Sequence, residues 1–148
     1  MGTVERFMAY AADFEKTLAD DEWSRLIHHF SETAIYRVES DLFGCELTGP
    51  DHIFAGMKKS LDGFDRNFPT RDIAITEGPE VEGEELRVSW TVTYHKEGLP
   101  DFALRGKSFA RIRDGKIVLL VDSYDERVNA EVASWVRETG LKLDPSYT

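Results

Sequence analysis

After Pro69 the apolar residues of this chain fall into period two and keep that rhythm as far as Tyr124, the mark of half-buried strands. Ile73 to Glu77 and Leu86 to His95 read as one hairpin around Glu82-Gly83-Glu84. Leu104 to Arg113 and Lys116 to Tyr124 read as a second around Asp114-Gly115, the dipeptide that suits a two-residue hairpin turn. The part before Pro69 has helical spacing instead. Val4, Phe7, Met8, Ala11, Phe14 and Leu18 predict one amphipathic helix; Asp20 or Asp21 can cap a second whose face is Trp23, Leu26, Ile27 and Phe30. A short strand is expected over Thr33 to Glu39, then a third helix opened by Thr48-Gly49-Pro50 with Ile53, Phe54, Met57 and Leu61 as its stripe. Val128, Val132, Trp135 and Val136 mark a last helix from about 126 to 139, ended by Gly140. Helices first and a mostly antiparallel sheet afterwards is an α+β layout, one domain over 1–148, with the helices packed on one face of a curved sheet.

Strand parity turns this layout into a question about a pocket. Leu86, Val88, Trp90, Val92 and Tyr94 share the inner face of one strand. On the next strand Arg105, Lys107, Arg111 and Arg113 must face outward, which leaves Gly106, Ser108, Ala110 and Ile112 inside. Three of those four are small, so a cavity can open beneath the bulky neighbouring strand, although Gly106 can equally mark a bend. In the last strand Val118, Leu120, Asp122 and Tyr124 share a face. If Leu120 points inward, so does the carboxylate of Asp122. A one-residue bulge there would reverse that assignment.

Composition narrows the partners. With 28 acidic against 18 basic residues the net charge is −10, which repels nucleic acid and anionic membranes and favours a small neutral or apolar ligand. No apolar run approaches the roughly 20 residues that span a bilayer. The opening MGTVERFMAY lacks the layout of a secretory signal, so a cytoplasmic place is the default, and Arg6 stands where a myristoylation signal wants Ser or Thr. The single cysteine, Cys45 in a loop without a His partner, excludes an internal disulfide and reads as a spectator thiol.

The runs ELTGPDHIFAGMKKSLDGF, NFPTRDIAITEGPEVEGEELRVSWTVTYHKEG and GKSFARIRDGKIVLLVDSYDE resemble the SnoaL-like polyketide cyclase branch of the nuclear transport factor two-like superfamily, whose fold is shared with ketosteroid isomerases. The resemblance implies an α+β cone with a deep pocket between helices and sheet, a homodimer formed through the outer sheet face, no cofactor, and members that include cyclases, isomerases, dehydratases and epoxide hydrolases. The family's last strand pairs Gly-Lys-Ile with an Asp and a second Asp three residues on, here Gly115, Lys116, Ile117, Asp122 and Asp125. By resemblance the first Asp works as acid or base. Two departures matter: Leu120 replaces a polar residue that is often His, and Ser89 to Thr93 carry no charge, which argues against epoxide hydrolysis.

Each candidate has a plainer alternative. Asp122 in an apolar pocket would have its pKa raised toward working pH and suit proton transfer; it would equally serve as a satisfied buried carboxylate. Tyr94 is the candidate phenol to partner it by donating to a developing oxyanion. Tyr36, Tyr124, Trp90, Phe54, Met57 and Leu120 are candidate walls for a flat hydrophobic ligand, or ordinary core. Asp125 reads as the cap of the terminal helix. His28 and His29 read as solvent-facing or rim residues, His52 lies near the pocket mouth and His95 faces outward. No spacing supplies a metal site, and none is expected. The expected function is cofactor-independent isomerisation, cyclisation or dehydration of a cyclic hydrophobic molecule; the alternative is a ligand-binding or dimerisation module of the same fold.

Overall fold

The first helix, α1 (Thr3–Asp20), buries Phe7 and Tyr10 and closes where Asp21 takes a left-handed backbone (φ 61°), its N–H bonded to Thr17 O. The structure, a computed structural model, describes residues 2–148; Met1, on which part of the lipidation argument rests, lies outside them. The expected second helix is a 3₁₀ helix, Trp23–His29, and Phe30 already opens β1 (Phe30–Glu39). At three residues per turn Trp23, Leu26 and His29 line up toward the core and Ile27 rotates out, to 55% exposure. That tight geometry is why the four-residue apolar face expected from α-helical spacing does not form.

A short strand β2 (Cys45–Thr48) pairs back on β1, so Cys45 lies in a strand rather than a loop. Helix α2 (Pro50–Gly63) starts with Pro at its first turn and buries Ile53, Phe54, Met57 and Leu61, the stripe anticipated from spacing. The long strands β3 (Thr70–Glu82), β4 (Glu85–His95), β5 (Phe102–Arg113) and β6 (Lys116–Ser123) follow, then α3 (Glu126–Thr139). The Asp125 carboxylate accepts from Val128 N–H at the start of α3, and Gly140 ends it with φ 72°.

The six strands form one curved, unclosed sheet in the order β2-β1-β6-β5-β4-β3. All neighbours are antiparallel except β1 and β6. Breaks in register near Glu77 in β3 and near Arg111 in β5 bend the sheet around the helices. The bulge in β6 is real but harmless to parity. Ile112 pairs with Ile117 and Arg111 with Leu119, so the extra residue is Val118, ahead of Leu120. From Leu119 onward the alternation is regular: Leu120 faces Ala110 and Tyr36, and Asp122 faces Ser108 and Val38.

Two apolar clusters fill the interior. One gathers Phe7, Tyr10, Leu26, Phe30, Ile53 and Phe54 under β1 and the first helices; the other stacks Phe64, Phe68, Tyr94, Phe102, Val132 and Trp135 under β4, β5 and α3. Trp90 and Tyr124 flank both. Their rings meet edge to face at 5.8 Å. The clusters do not merge, and the space between them is the cavity.

Candidate functional site

A cavity of about 530 Å³ runs between α1, α2 and the inner sheet face. The small inner residues of β5 make it possible. A side chain at Gly106 would meet the Trp90 ring 2.6 Å from its Cβ, so glycine there lets the indole lie flat across β5. Trp90 Nε1 then donates to Ser108 Oγ at 2.9 Å, Ser108 Oγ donates to Asp122 Oδ1 at 2.6 Å, and Tyr36 Oη donates to Asp122 Oδ2 at 2.7 Å. The Tyr147 hydroxyl lies 3.5 Å from that of Tyr36.

Asp122 is withdrawn from bulk solvent, and burial raises its pKa; the hydrogen bonds from Ser108 and Tyr36 oppose that rise. What surface it keeps faces the cavity. Both of its hydrogen-bond partners are neutral hydroxyls. Burial pushes up the phenols of Tyr36, Tyr124 and Tyr147; after burial, the Asp122 charge adds most to the rise at Tyr36 and Tyr147, and Tyr147 and then Asp122 at Tyr124, so all three stay protonated donors.

A second polar group faces the same cavity. Tyr94 Oη donates to Asp65 Oδ2 at 3.0 Å, Arg71 Nη1 lies 3.2 Å from the same oxygen, and Arg71 Nη2 pairs with Glu15 of α1. Burial raises Asp65, with Arg71 and then Tyr94 pulling the other way. Burial likewise raises Glu15 against the pull of Arg71. Burial works against the Arg71 charge too, but Asp65 and Glu15 more than offset it. Arg71 Nε is buried without a hydrogen-bond partner among the described residues. Met8, Ile73 and Ile75 line this side of the cavity and are 38–51% exposed, so the mouth opens between α1 and β3.

Against the residues named from sequence, the cavity brings together Asp122, Tyr36, Trp90, Tyr124, Met57, Leu120 and Tyr94. Tyr94 does not partner Asp122; its hydroxyl is engaged by Asp65. Phe54 lies off the cavity, packed between Trp23 (5.8 Å) and Phe30 (5.5 Å), because the 3₁₀ turn brings those two rings over α2. Sequence reasoning missed Asp65, Arg71, Glu15 and Tyr147. Arg71 shares the parity of Ile73 and Ile75, which was a usable signal; Tyr147 sits in an irregular tail with no periodicity at all.

The histidines lie elsewhere. His29 is not a free surface residue: its ring is tucked beside Tyr10, and Nε2 lies 2.8 Å from Asp13 Oδ2. With exposed His28 these two bring metal-type ligand atoms within 4.8 Å of one another, on the α1 side and away from the cavity lining. His52 Nδ1 rests on Thr48 O, and His95 bridges Asp72 and Asp101, whose hydrogen bonds raise its pKa. The Cys45 thiol is pushed up by burial, the opposite of what a nucleophile needs. The outward basic stripe pairs with acids: Arg111 with Glu85, Arg113 with Glu84 and Arg105 with Glu131.

A family model described as the SnoaL-like domain matches residues 5–120. The chain belongs to the SnoaL-like family. Asp122 falls just beyond the matched span. No curated protein is significantly similar in sequence. Among solved structures, TerC co-crystallised with polyporic acid is 18% identical, with 91% of this chain and 98% of that chain covered and a TM-score of 0.65. A protein from Pseudomonas putida KT2440, provisionally assigned as a polyketide cyclase, is 21% identical over 88% of this chain and 97% of that chain, TM-score 0.60. A Catenulispora acidiphila protein with a ketosteroid isomerase-like fold, in complex with trimethylamine, is 18% identical over 89% and 92%, TM-score 0.59. At these identities the likeness establishes the fold, the α+β cone expected for this family.

Proposed function

We propose that this SnoaL-like protein is a cofactor-independent acid/base enzyme acting on a hydrophobic cyclic carbonyl compound, with Asp122 as the proton-transfer group. One observation carries the reading: a carboxyl group in an apolar cavity, raised by burial and held, among the described residues, by the neutral hydroxyls of Ser108 and Tyr36. A carboxylate locked to a cation resists protonation; this one is free to take a proton and return it. Its carboxylate would remove a proton from the carbon beside a substrate carbonyl. The C–H bond breaks, an O–H bond forms on Asp122, and the electron pair moves to give an enolate. Returning the proton to a different carbon completes an isomerisation; in a cyclisation the enolate carbon bonds to a second carbonyl carbon of the same molecule, the C=O π pair moves onto that oxygen, which takes the proton back from Asp122, and loss of the resulting hydroxyl with a hydrogen of the neighbouring carbon as water gives the dehydrated product. Trp90, Tyr124, Leu120 and Met57 would hold the flat frame. That two neighbours are seen with small molecules supports a small-molecule ligand here.

The test is hydrogen–deuterium exchange of 2-tetralone and a 3-oxosteroid in D₂O, followed by NMR beside Asp122→Asn. Acceleration by the unmodified protein that falls by roughly 10²–10⁴-fold in the variant is the expected result, that being the usual scale of a positioned general base. Equal acceleration by both proteins would sink the assignment. The satisfaction of both Asp122 oxygens favours a second reading, a ligand-binding module, which predicts binding of such ketones with no exchange at all. Pairing of two copies through the outer sheet face, which the family implies, is checked by the mass in solution.

A further inference from the structure

Helix α2 carries Gly56, Ser60 and Gly63 at spacings of four and three, which places them on one face. The C-terminal segment lies in the groove they make. A Cβ at Gly63 would stand 2.0 Å from Asp144 O, and one at Gly56 would stand 3.0 Å from Tyr147 O, so side chains there would lift the segment away. Ser60 Oγ donates to Pro145 O at 2.8 Å, and Asp144 N–H donates to Gly63 O at 2.9 Å. Held at these points, the segment turns Tyr147 into the cavity, its ring 5.7 Å from that of Tyr36. Tyr147 lies well beyond residues 5–120, the span that carries the family match.

Proton accounting singles it out. Tyr36 has placed its one hydroxyl proton on Asp122, and Ser60 has placed its own on Pro145 O. With the Tyr36 proton on Asp122, the 3.5 Å contact between the two phenols has Tyr147 as its donor, a long bond that a ligand oxygen nearer to Tyr147 can replace. Burial and then the nearby Asp122 raise its pKa, so it is a neutral donor across the physiological range.

We propose that the segment 141–148 is a built-in wall of the site that supplies Tyr147 as the hydrogen-bond donor to the ligand's carbonyl or enolate oxygen, selecting ligands that carry such an oxygen near Asp122. The proposal rests on the acid/base reading of Asp122, since the oxygen it recognises is the one on which charge develops when that residue takes a proton.

The paired probes are 2-naphthol and naphthalene, one flat frame with and without the oxygen, titrated into the full chain, Tyr147→Phe and Asp122→Asn. In Tyr147→Phe the affinity for 2-naphthol should fall roughly three- to tenfold, one hydrogen bond's worth, while naphthalene binds unchanged. Because a strap variant can unfold locally, trypsin cleavage after Lys142, read by intact mass, runs beside it. Cleavage should be slowed by 2-naphthol and hastened in Gly63→Ala. Equal 2-naphthol affinity in Tyr147→Phe and the parent overturns the proposal, as does failure of both probes to bind the parent. If ketone exchange is lost in Asp122→Asn while 2-naphthol binding ignores Tyr147→Phe, only the donor role fails. If exchange survives in Asp122→Asn, the acid/base reading fails, whatever Tyr147 does.

Discussion

Asp65 and Asp122 look alike from a distance: both carboxyls face one cavity, and burial raises both. Their company is opposite. Asp65 sits against the Arg71 guanidinium at 3.2 Å and the Tyr94 hydroxyl at 3.0 Å, while among the described residues Asp122 has only the hydroxyls of Ser108 and Tyr36. An arginine stays protonated at any working pH, so a proton arriving on Asp65 would leave that cation short of a partner. A proton arriving on Asp122 leaves nothing charged behind. The same burial therefore makes one aspartate a fixed end of an ion pair joining β3 to α1 through Glu15, and the other a site where a proton can come and go.

The largest expected effect separates the two by exchanging their amides. Asp122→Asn should lower ketone exchange roughly 10²–10⁴-fold with the fold intact, whereas Asp65→Asn should leave the exchange rate per folded molecule within a few-fold and lower the melting temperature instead. A large rate loss in Asp65→Asn would erase the distinction between the two aspartates.

Arg71→Met comes next. It leaves Asp65 and Glu15 as buried or half-buried carboxyls without their cation, and breaking a buried pair by removing one partner costs about 3–5 kcal/mol. Glu15 is 38% exposed and can turn to water, so the lower end, about 3 kcal/mol, is the figure expected from urea unfolding. No loss would mean that the pair contributes nothing net.

Much of this molecule was legible because its period changes once. Helical spacing placed α1 and α2, period two placed the sheet, and Asp114-Gly115 marked the last hairpin, since each rests on local rules that tertiary packing here does not override. The face of Asp122 was legible too, because the β6 bulge falls at Val118, before the parity that matters. The 3₁₀ turn at Trp23–His29 escaped, since a spacing of three and a spacing of four diverge by Ile27 and Phe30. Asp65, the partner of Tyr94, and Tyr147, the neighbour of Tyr36, escaped for a different reason. Asp65 lies in a short turn and Tyr147 in an irregular tail, and neither has a periodic neighbour to reveal its direction; only Gly56-x₃-Ser60-x₂-Gly63, a small-residue face in a buried helix, hinted that some backbone must lie there.

A smaller effect follows from the sign of the Asp122 shift. Its folded pKa is raised, so below the ordinary unfolded value of about 3.9 both states are protonated and the comparison with Asn is flat. As pH climbs past that point the unfolded chain releases its proton first, and stability drains from the parent until the folded pKa is passed. Asp122→Asn has no such proton. The parent should therefore lose stability relative to the variant between about pH 4 and the folded pKa, then run parallel to it, in urea unfolding across pH.

Ser108→Ala sharpens the comparison last, and least. Ser108 donates to Asp122 at 2.6 Å and accepts from Trp90 Nε1 at 2.9 Å, so alanine removes a donor that favours the charged carboxylate and strands an indole N–H. The stability cost should be about 1 kcal/mol, the scale of one such bond. The more telling readout is direction. With one of its two neutral donors gone, Asp122 should titrate at still higher pH, moving the acid limb of the exchange profile upward. Asp65, whose charge is supported from the other end of the cavity by Arg71, should be untouched, and Tyr94→Phe should reproduce none of that shift. An acid limb that moves with Tyr94 and not with Ser108 would mean that the proton in play belongs to Asp65 after all.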